Sequence, residues 1–221
     1  MNRTIVIGDI HGCFDELVEL LEKVELSESD RVVAVGDLCV KGPKSHQVLE
    51  LFSSDSRFSS VVGNHDLALV KYWLGETTHL KSTQQRAFEE LKESGDYLLA
   101  YLASLPTYIE LETHVVVHAG LRQRIPLNQQ KTEDLIELRT LGEDRTSRVG
   151  TPWYEIYDGP KIALFGHWPA SEPRRGKYAI GLDTGCVYGY QLTAYIIETD
   201  QFESVQARAA YDMSGRGKKS T

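Results

Sequence analysis

Apolar residues recur along this chain in two rhythms. Nearly unbroken apolar runs at Arg3–Ile7, Arg31–Val35 and Phe58–Val62 predict buried strands. Between them the spacing changes. Leu17, Leu20, Leu21 and Val24 fall on one face of a helix over Phe14–Val24, and Val48, Leu49 and Phe52 do the same over His46–Phe52. This β-α-β-α-β order predicts parallel strands joined by crossover helices, and so an α/β fold. Asp66–Leu105 reads as helical, in two or three pieces broken near Gly75 and Gly95. Tyr108–Leu111 and His114–Val117 predict two short strands about a tight turn, and Thr132–Leu141 a short helix. After Gly150 strands dominate, at Lys161–Phe165, Tyr178–Leu182, Gln191–Glu198 and Phe202–Val205. No linker composition intervenes. The expectation is a second sheet packed on the first, within one domain over residues 1–213.

Composition narrows the class. The chain has 221 residues, 41% hydrophobic and 25% charged, as in a soluble globular protein. It has no run of about 18 apolar residues to span a membrane. The N-terminus enters a strand without a secretory signal, so a cytoplasmic location is expected. The net charge of −8 repels nucleic-acid backbone, and stable DNA or RNA binding is not expected. Residues 214–221, with Arg216, Lys218 and Lys219 among Gly and Ser, read as a disordered basic tail. Three cysteines, Cys13, Cys39 and Cys186, lack any C-x-x-C spacing and read as small buried hydrophobes.

The candidate chemistry lies where the strands stop. IVIGD ends at Asp9, with His11 two residues on; VVAVGD ends at Asp37; SVVGNH brings Asn64 and His65; VVVHAG holds His118; ALFGH ends at His167. In open α/β sheets ligands sit beyond the carboxyl ends of the strands. Five such ends carrying carboxylates, imidazoles and an amide, without sulfur, suit transition metals of intermediate hardness.

GDIHG, GDLCVKGP, GNHD, HAG and GHW, in that order, resemble the metallophosphatase superfamily that includes the serine/threonine phosphoprotein phosphatases. TPWYEIYDGP, IALFGHWP and GLDTGCVYGYQLTA are similar to its symmetrical diadenosine tetraphosphatase branch. The resemblance, from about Thr4 to Glu198, implies two packed mixed β-sheets flanked by helices, an αββα sandwich. It implies two divalent metal ions, with manganese as the family-based expectation and Fe, Zn, Co or Ni compatible. Asp9 and His11 would bind the first ion, Asp37 would bridge both, and Asn64, His118 and His167 would complete the second. A hydroxide shared by the ions would attack phosphorus in line, with His65 as general acid. Arg139 and Lys41, with Asn64, would bind the substrate phosphate. The implied substrate is diadenosine tetraphosphate, cut symmetrically to two ADP.

The sequence departs from the protein-phosphatase pattern at three positions. Val40 replaces an Asp that partners the general acid, Lys41 replaces an Arg, and Asp66 replaces a Glu. A protein phosphatase acting on phosphoserine, phosphothreonine or phosphotyrosine is the alternative; a catalytically silent scaffold or ligand-sensing domain is the alternative of another class. Asp183 reads as turn-forming, with Tyr188 nearby, and Tyr72, Trp73 and Trp168 as aromatics able to stack on a nucleobase.

Overall fold

A computed structural model describes residues 2–213; the expected basic tail, 214–221, lies outside the described residues. The order is β1 (Thr4–Ile7), α1 (Phe14–Lys23), β2 (Arg31–Ala34), α2 (Ser45–Ser54), β3 (Phe58–Ser60), α3 (Asn64–Trp73), α4 (Ser82–Glu93) and α5 (Tyr97–Ser104). Then come β4 (Tyr108–Glu110), β5 (His114–Val117), α6 (Thr132–Glu137), β6 (Thr140–Leu141), β7 (Thr151–Pro152), α7 (Trp153–Ile156), β8 (Ile162–Phe165), β9 (Arg174–Arg175), β10 (Ala179–Gly181), β11 (Gln191–Ile196) and β12 (Gln201–Gln206).

Two five-stranded sheets result, ordered β12-β11-β1-β2-β3 and β4-β5-β8-β10-β9. Each has three parallel strands: β1, β2 and β3 in the first, β5, β8 and β10 in the second. Antiparallel strands complete them, β11 and β12 on the first, β4 and β9 on the second. The inner strands β1, β2, β5 and β8 are apolar on both faces because both faces are covered. Val6, Val33, Val35, Val116, Leu164 and Ile180 meet between the sheets. Their neighbours point the other way, Ile5, Ile7 and Val32 against the first helical layer and Val115, Val117 and Phe165 against the second. Period-two alternation thus writes both packing layers into each strand. Burying one such Val or Leu side chain contributes about 1.5–3 kcal/mol.

The structure redraws two expectations. The last strands do not join the second sheet: β11 pairs antiparallel with β1, so the chain's end closes the first sheet, and the second sheet begins earlier, at β4 and β5. Apolar runs reveal strands but not their partners. The helix expected over Thr132–Leu141 stops at Glu137. Thr140 and Leu141 pair with Thr151 and Pro152, and the buried Thr140 hydroxyl donates to the Ser147 and Val149 carbonyls of the intervening loop.

The two sheets touch closely where the carboxyl ends of their strands converge. A Cβ added to Gly8, which follows β1, would fall 2.1 Å from the carbonyl oxygen of Leu182, which follows β10. Gly8→Ala is therefore expected to cost about 1–3 kcal/mol of stability, read as a lower urea midpoint. Gly142→Ala, where nothing lies within 4 Å, is the neutral control. Equal midpoints for the two variants would show that the sheets can part at this edge without cost.

Candidate metal centre

All six parallel strands point the same way and deliver a polar side chain just past their ends. Asp9 and His11 follow β1, Asp37 follows β2, Asn64 and His65 open α3 after β3, His118 follows β5, His167 follows β8, and Asp183 follows β10. All of these except His118 line one cavity of about 460 Å³, within the range of small-molecule sites, and His118 is buried behind it against Asp37 and Asn64.

Local backbone places them. His11, Asp37 and His167 have φ of 49°, 51° and 68°, left-handed values that non-glycine residues rarely adopt. The glycines beside them admit close approach: a Cβ on Gly63 would lie 2.1 Å from Asp37 Oδ1, and one on Gly166 2.0 Å from Asp9 Oδ1. Asp66 starts α3, accepting the N–H of Gly63 at 3.0 Å, and also accepts those of Leu38 and Cys39 at 3.3 Å. One buried carboxylate therefore clamps the loop after β2 to the helix that presents Asn64 and His65.

The donors fix one another's protons. His11 Nδ1 lies 3.0 Å from the Cys39 carbonyl and His118 Nδ1 2.9 Å from the Val35 carbonyl. Each ring donates there, so its Nε2 carries the lone pair. His11 Nε2 is 3.4 Å from Asp37 Oδ2, and His118 Nε2 is 3.6 Å from Asp37 Oδ1 and 3.1 Å from Asn64 Oδ1. His167 Nδ1 lies 2.9 Å from Asn64 Oδ1, and its Nε2 is buried with no partner. The backbone N–H of His167 donates to Asp9, and that of His65 to Asp37 Oδ1 at 2.9 Å.

At His118 Nε2 a lone pair thus faces the oxygens of Asp37 and Asn64 with no proton between them. Burial pushes the Asp37 carboxyl up to about 7, raises Asp9 and Asp183, and lowers His118 to about 4. Each shift expresses the cost of holding a charge away from water without a countercharge. A divalent cation supplies what is missing. Two donors bound at right angles by bonds of about 2.1 Å lie about 3 Å apart, close to the spacings around Asn64 and His118. Asp37 belongs to two groups whose donor atoms all lie within 4.8 Å of one another, one with His11 and His65, the other with Asp9 and His118. These residues fit metal ions, and Asp37 is common to both groups.

The other expected residues are distributed unevenly. Lys41 Nζ is 3.1 Å from His11 Nε2 and donates to the Tyr188 hydroxyl at 2.8 Å. It occupies the nitrogen that a metal would take, so an ion at His11 must displace the ammonium towards Tyr188 and the cavity. Arg139 lines the cavity, donates to the Thr146 and His167 carbonyls, and keeps a buried Nε without a partner. His65 Nδ1 is buried and unpartnered, as expected with Val40 in place of an acid. Burial, and then the charge of Lys41, lower this imidazole to about 2. Asp183 accepts from the Gly185 N–H and lines the cavity, as does Tyr188. The aromatics Tyr72, Trp73 and Trp168 do not line it. Tyr72 packs edge-on against Phe88, Trp73 against the first core, and Trp168 against Tyr154 and Arg174. Sequence reasoning missed Lys81, Arg148 and Asp212, which line the cavity from irregular segments where no spacing signals chemistry.

The family model for calcineurin-like phosphoesterases matches residues 2–197. A bis(5'-nucleosyl)-tetraphosphatase PrpE of Bacillus subtilis, named asymmetrical, is 32% identical over 95% of this chain and 96% of its own. A bis(5'-nucleosyl)-tetraphosphatase of Vibrio cholerae, named symmetrical, is 29% identical over 93% of this chain and 98% of its own. Among solved structures, one provisionally named a diadenosine tetraphosphatase superposes with a TM-score of 0.81 at 33% identity, covering 93% of this chain and 94% of that one. A serine/threonine phosphatase of Saccharomyces cerevisiae superposes with a TM-score of 0.61 over 94% of this chain and 80% of that one, and at 14% identity shares the fold alone. With its sandwich of two mixed sheets and its cage of oxygen and nitrogen donors, the chain belongs to the calcineurin-like phosphoesterases and is a metallophosphoesterase.

Proposed function

We propose that this enzyme hydrolyses dinucleoside tetraphosphates at a two-metal centre. The observation that carries the proposal is Asp37, whose two oxygens face separate histidines within two overlapping donor groups. Asp9, His11 and Asp37 would hold one ion, and Asp37, Asn64, His118 and His167 the other. The donor set suits manganese and admits Fe, Zn, Co or Ni. Bound there, the ions supply charge neutralisation for the phosphate and an activated water for attack on phosphorus.

The chain's own residues supply the rest. Arg139 and Lys41 reach the same cavity and would grip the non-reacting phosphate oxygens. Asn64, anchored between two histidines, would orient the phosphate from the other side. His65 would hand a proton to the leaving oxygen. It is neutral in its buried setting, and an arriving anion is the charge that favours its protonation.

The bond that breaks has two readings. The carboxyl-terminal motifs favour a symmetrical cut of diadenosine tetraphosphate to two ADP, and the Bacillus relatives, named asymmetrical, favour ATP and AMP. Product analysis of the manganese-loaded enzyme separates them. The same assay, run against phosphopeptides, tests the substrate class. The tetraphosphate is expected to have the higher kcat/KM, and a large preference for peptides would remove the proposal in favour of a protein phosphatase.

Asp37→Asn is expected to lose bound metal and to slow turnover by more than about 100-fold, above the cost of losing an outer hydrogen-bond partner. The metal-free variant should melt no lower than the metal-free parent, since Asn removes a buried charge yet still accepts from His65. Full metal content in this variant contradicts the shared-ligand role.

His65→Ala is expected to keep its metal and to lose more rate on the tetraphosphate than on p-nitrophenyl phosphate, whose leaving group needs little protonation. Equal losses on both substrates argue against acid catalysis.

A further inference from the structure

Lys81 and Arg148 line the same cavity as Asp37 and His167, and both are exposed at its rim. Among the described residues neither makes an ion pair or a side-chain hydrogen bond. Their backbones, in contrast, are pinned. Lys81 precedes α4, and its N–H donates to the side chain of buried Gln84 at 2.9 Å. Arg148 sits in the loop between β6 and β7, flanked by the carbonyls of Ser147 and Val149, which lie 3.1 and 3.4 Å from the Thr140 hydroxyl. The fold thus holds two cations over the cavity, neither of them in an ion pair among the described residues.

Both share the cavity lining with His65 and Arg139. Lys41 and Arg139 reach deeper, to His11 Nε2 and to the His167 carbonyl, and suffice for one reacting phosphate. Asp212 also lines the cavity, and Asp9, Asp37 and Asp183 are buried in its floor. Four cations, Lys41, Lys81, Arg139 and Arg148, thus line one cavity, more than a single phosphate engages. In a chain of net charge −8, such a cationic rim also concentrates anions at the mouth.

We propose that Lys81 and Arg148 form a distal-phosphate subsite that holds the neighbours of the reacting phosphate in a polyphosphate chain. The proposal deepens the tetraphosphate reading and rests on it for the identity of the reacting centre. Together they take the phosphates that flank the reacting one. A phosphomonoester lacks both contacts, so chain length becomes a basis for selection.

The test measures inhibition of p-nitrophenyl phosphate turnover by tripolyphosphate and by orthophosphate, on the full-length manganese-loaded enzyme and on Lys81→Ala, Arg148→Ala and the double variant. The readout is the ratio of the two inhibition constants, which cancels any change in basal rate. Metal sequestration by tripolyphosphate acts on parent and variants alike. The parent is expected to favour tripolyphosphate by at least about tenfold, the scale of one charge-assisted hydrogen bond. Each alanine should erode the preference and the double variant abolish it, with Lys81→Arg restoring most of the Lys81 share. No preference in the parent, or a preference untouched by the double variant, overturns the subsite. Turnover of the tetraphosphate itself is scored separately: its absence alongside a Lys81-dependent triphosphate preference removes the dinucleotide substrate and leaves the subsite standing.

Discussion

One buried negative charge organises the mouth of this fold. Asp37 accepts the N–H of His65 on one oxygen, turns its other oxygen to His11, and has His118 within 3.6 Å. A carboxylate held this far from water is costly unless something positive compensates it. The hydrogen bond from His65 offsets part of that cost. Lys41 offsets more, through its charge rather than through contact. The remainder appears as a carboxyl pushed up to about 7 by burial. The site is thus built with an electrostatic deficit that dications fill, and that deficit, more than any single histidine, defines the chemistry.

Building such a deficit requires a backbone that gives up favourable local geometry. His11, Asp37 and His167 all take left-handed φ, and Val40, a β-branched residue, sits at φ 125°. Each such residue costs on the order of 1 kcal/mol or more and persists only where its surroundings overdetermine it. Here they do. His11 donates its N–H to the Asp37 carbonyl, Gly12 donates to the Leu38 carbonyl, and Asp66 holds the N–H groups of Leu38, Cys39 and Gly63. The strain is confined to strand ends. The central strands β1, β2, β5 and β8 are regular and almost wholly buried, so the two-sheet core underwrites the distortion at its edge.

The same division explains what the sequence made legible. The strands were readable because burial on both faces leaves them almost wholly apolar, and the donors were readable because five strands each broke into a turn bearing one. What escaped the eye depends on three-dimensional partners. That β11 returns to pair with β1 is a matter of register across nearly the whole chain, which no local pattern encodes. Asp66 looked like a departure from a motif, but its work is to clamp two loops. Tyr72 and Trp73 looked available for stacking, but helical spacing turns them towards Phe88 and the core. Lys81 and Arg148 carried no signal at all, because one exposed cation in a loop is like any other until the fold shows what it overlooks.

The departure at position 40 has a structural consequence beyond the missing acid. With Val40 fully buried and His65 Nδ1 unpartnered, no protein carboxylate contacts the imidazole through that nitrogen. A histidine fixed by a neighbouring acid keeps a raised affinity for its proton at all times. Here burial and nearby Lys41 act in the opposite sense and favour the neutral ring. With valine in place of an acid, the proton affinity of His65 is therefore set by its desolvation and by the cations around the cavity, not by a fixed carboxylate partner.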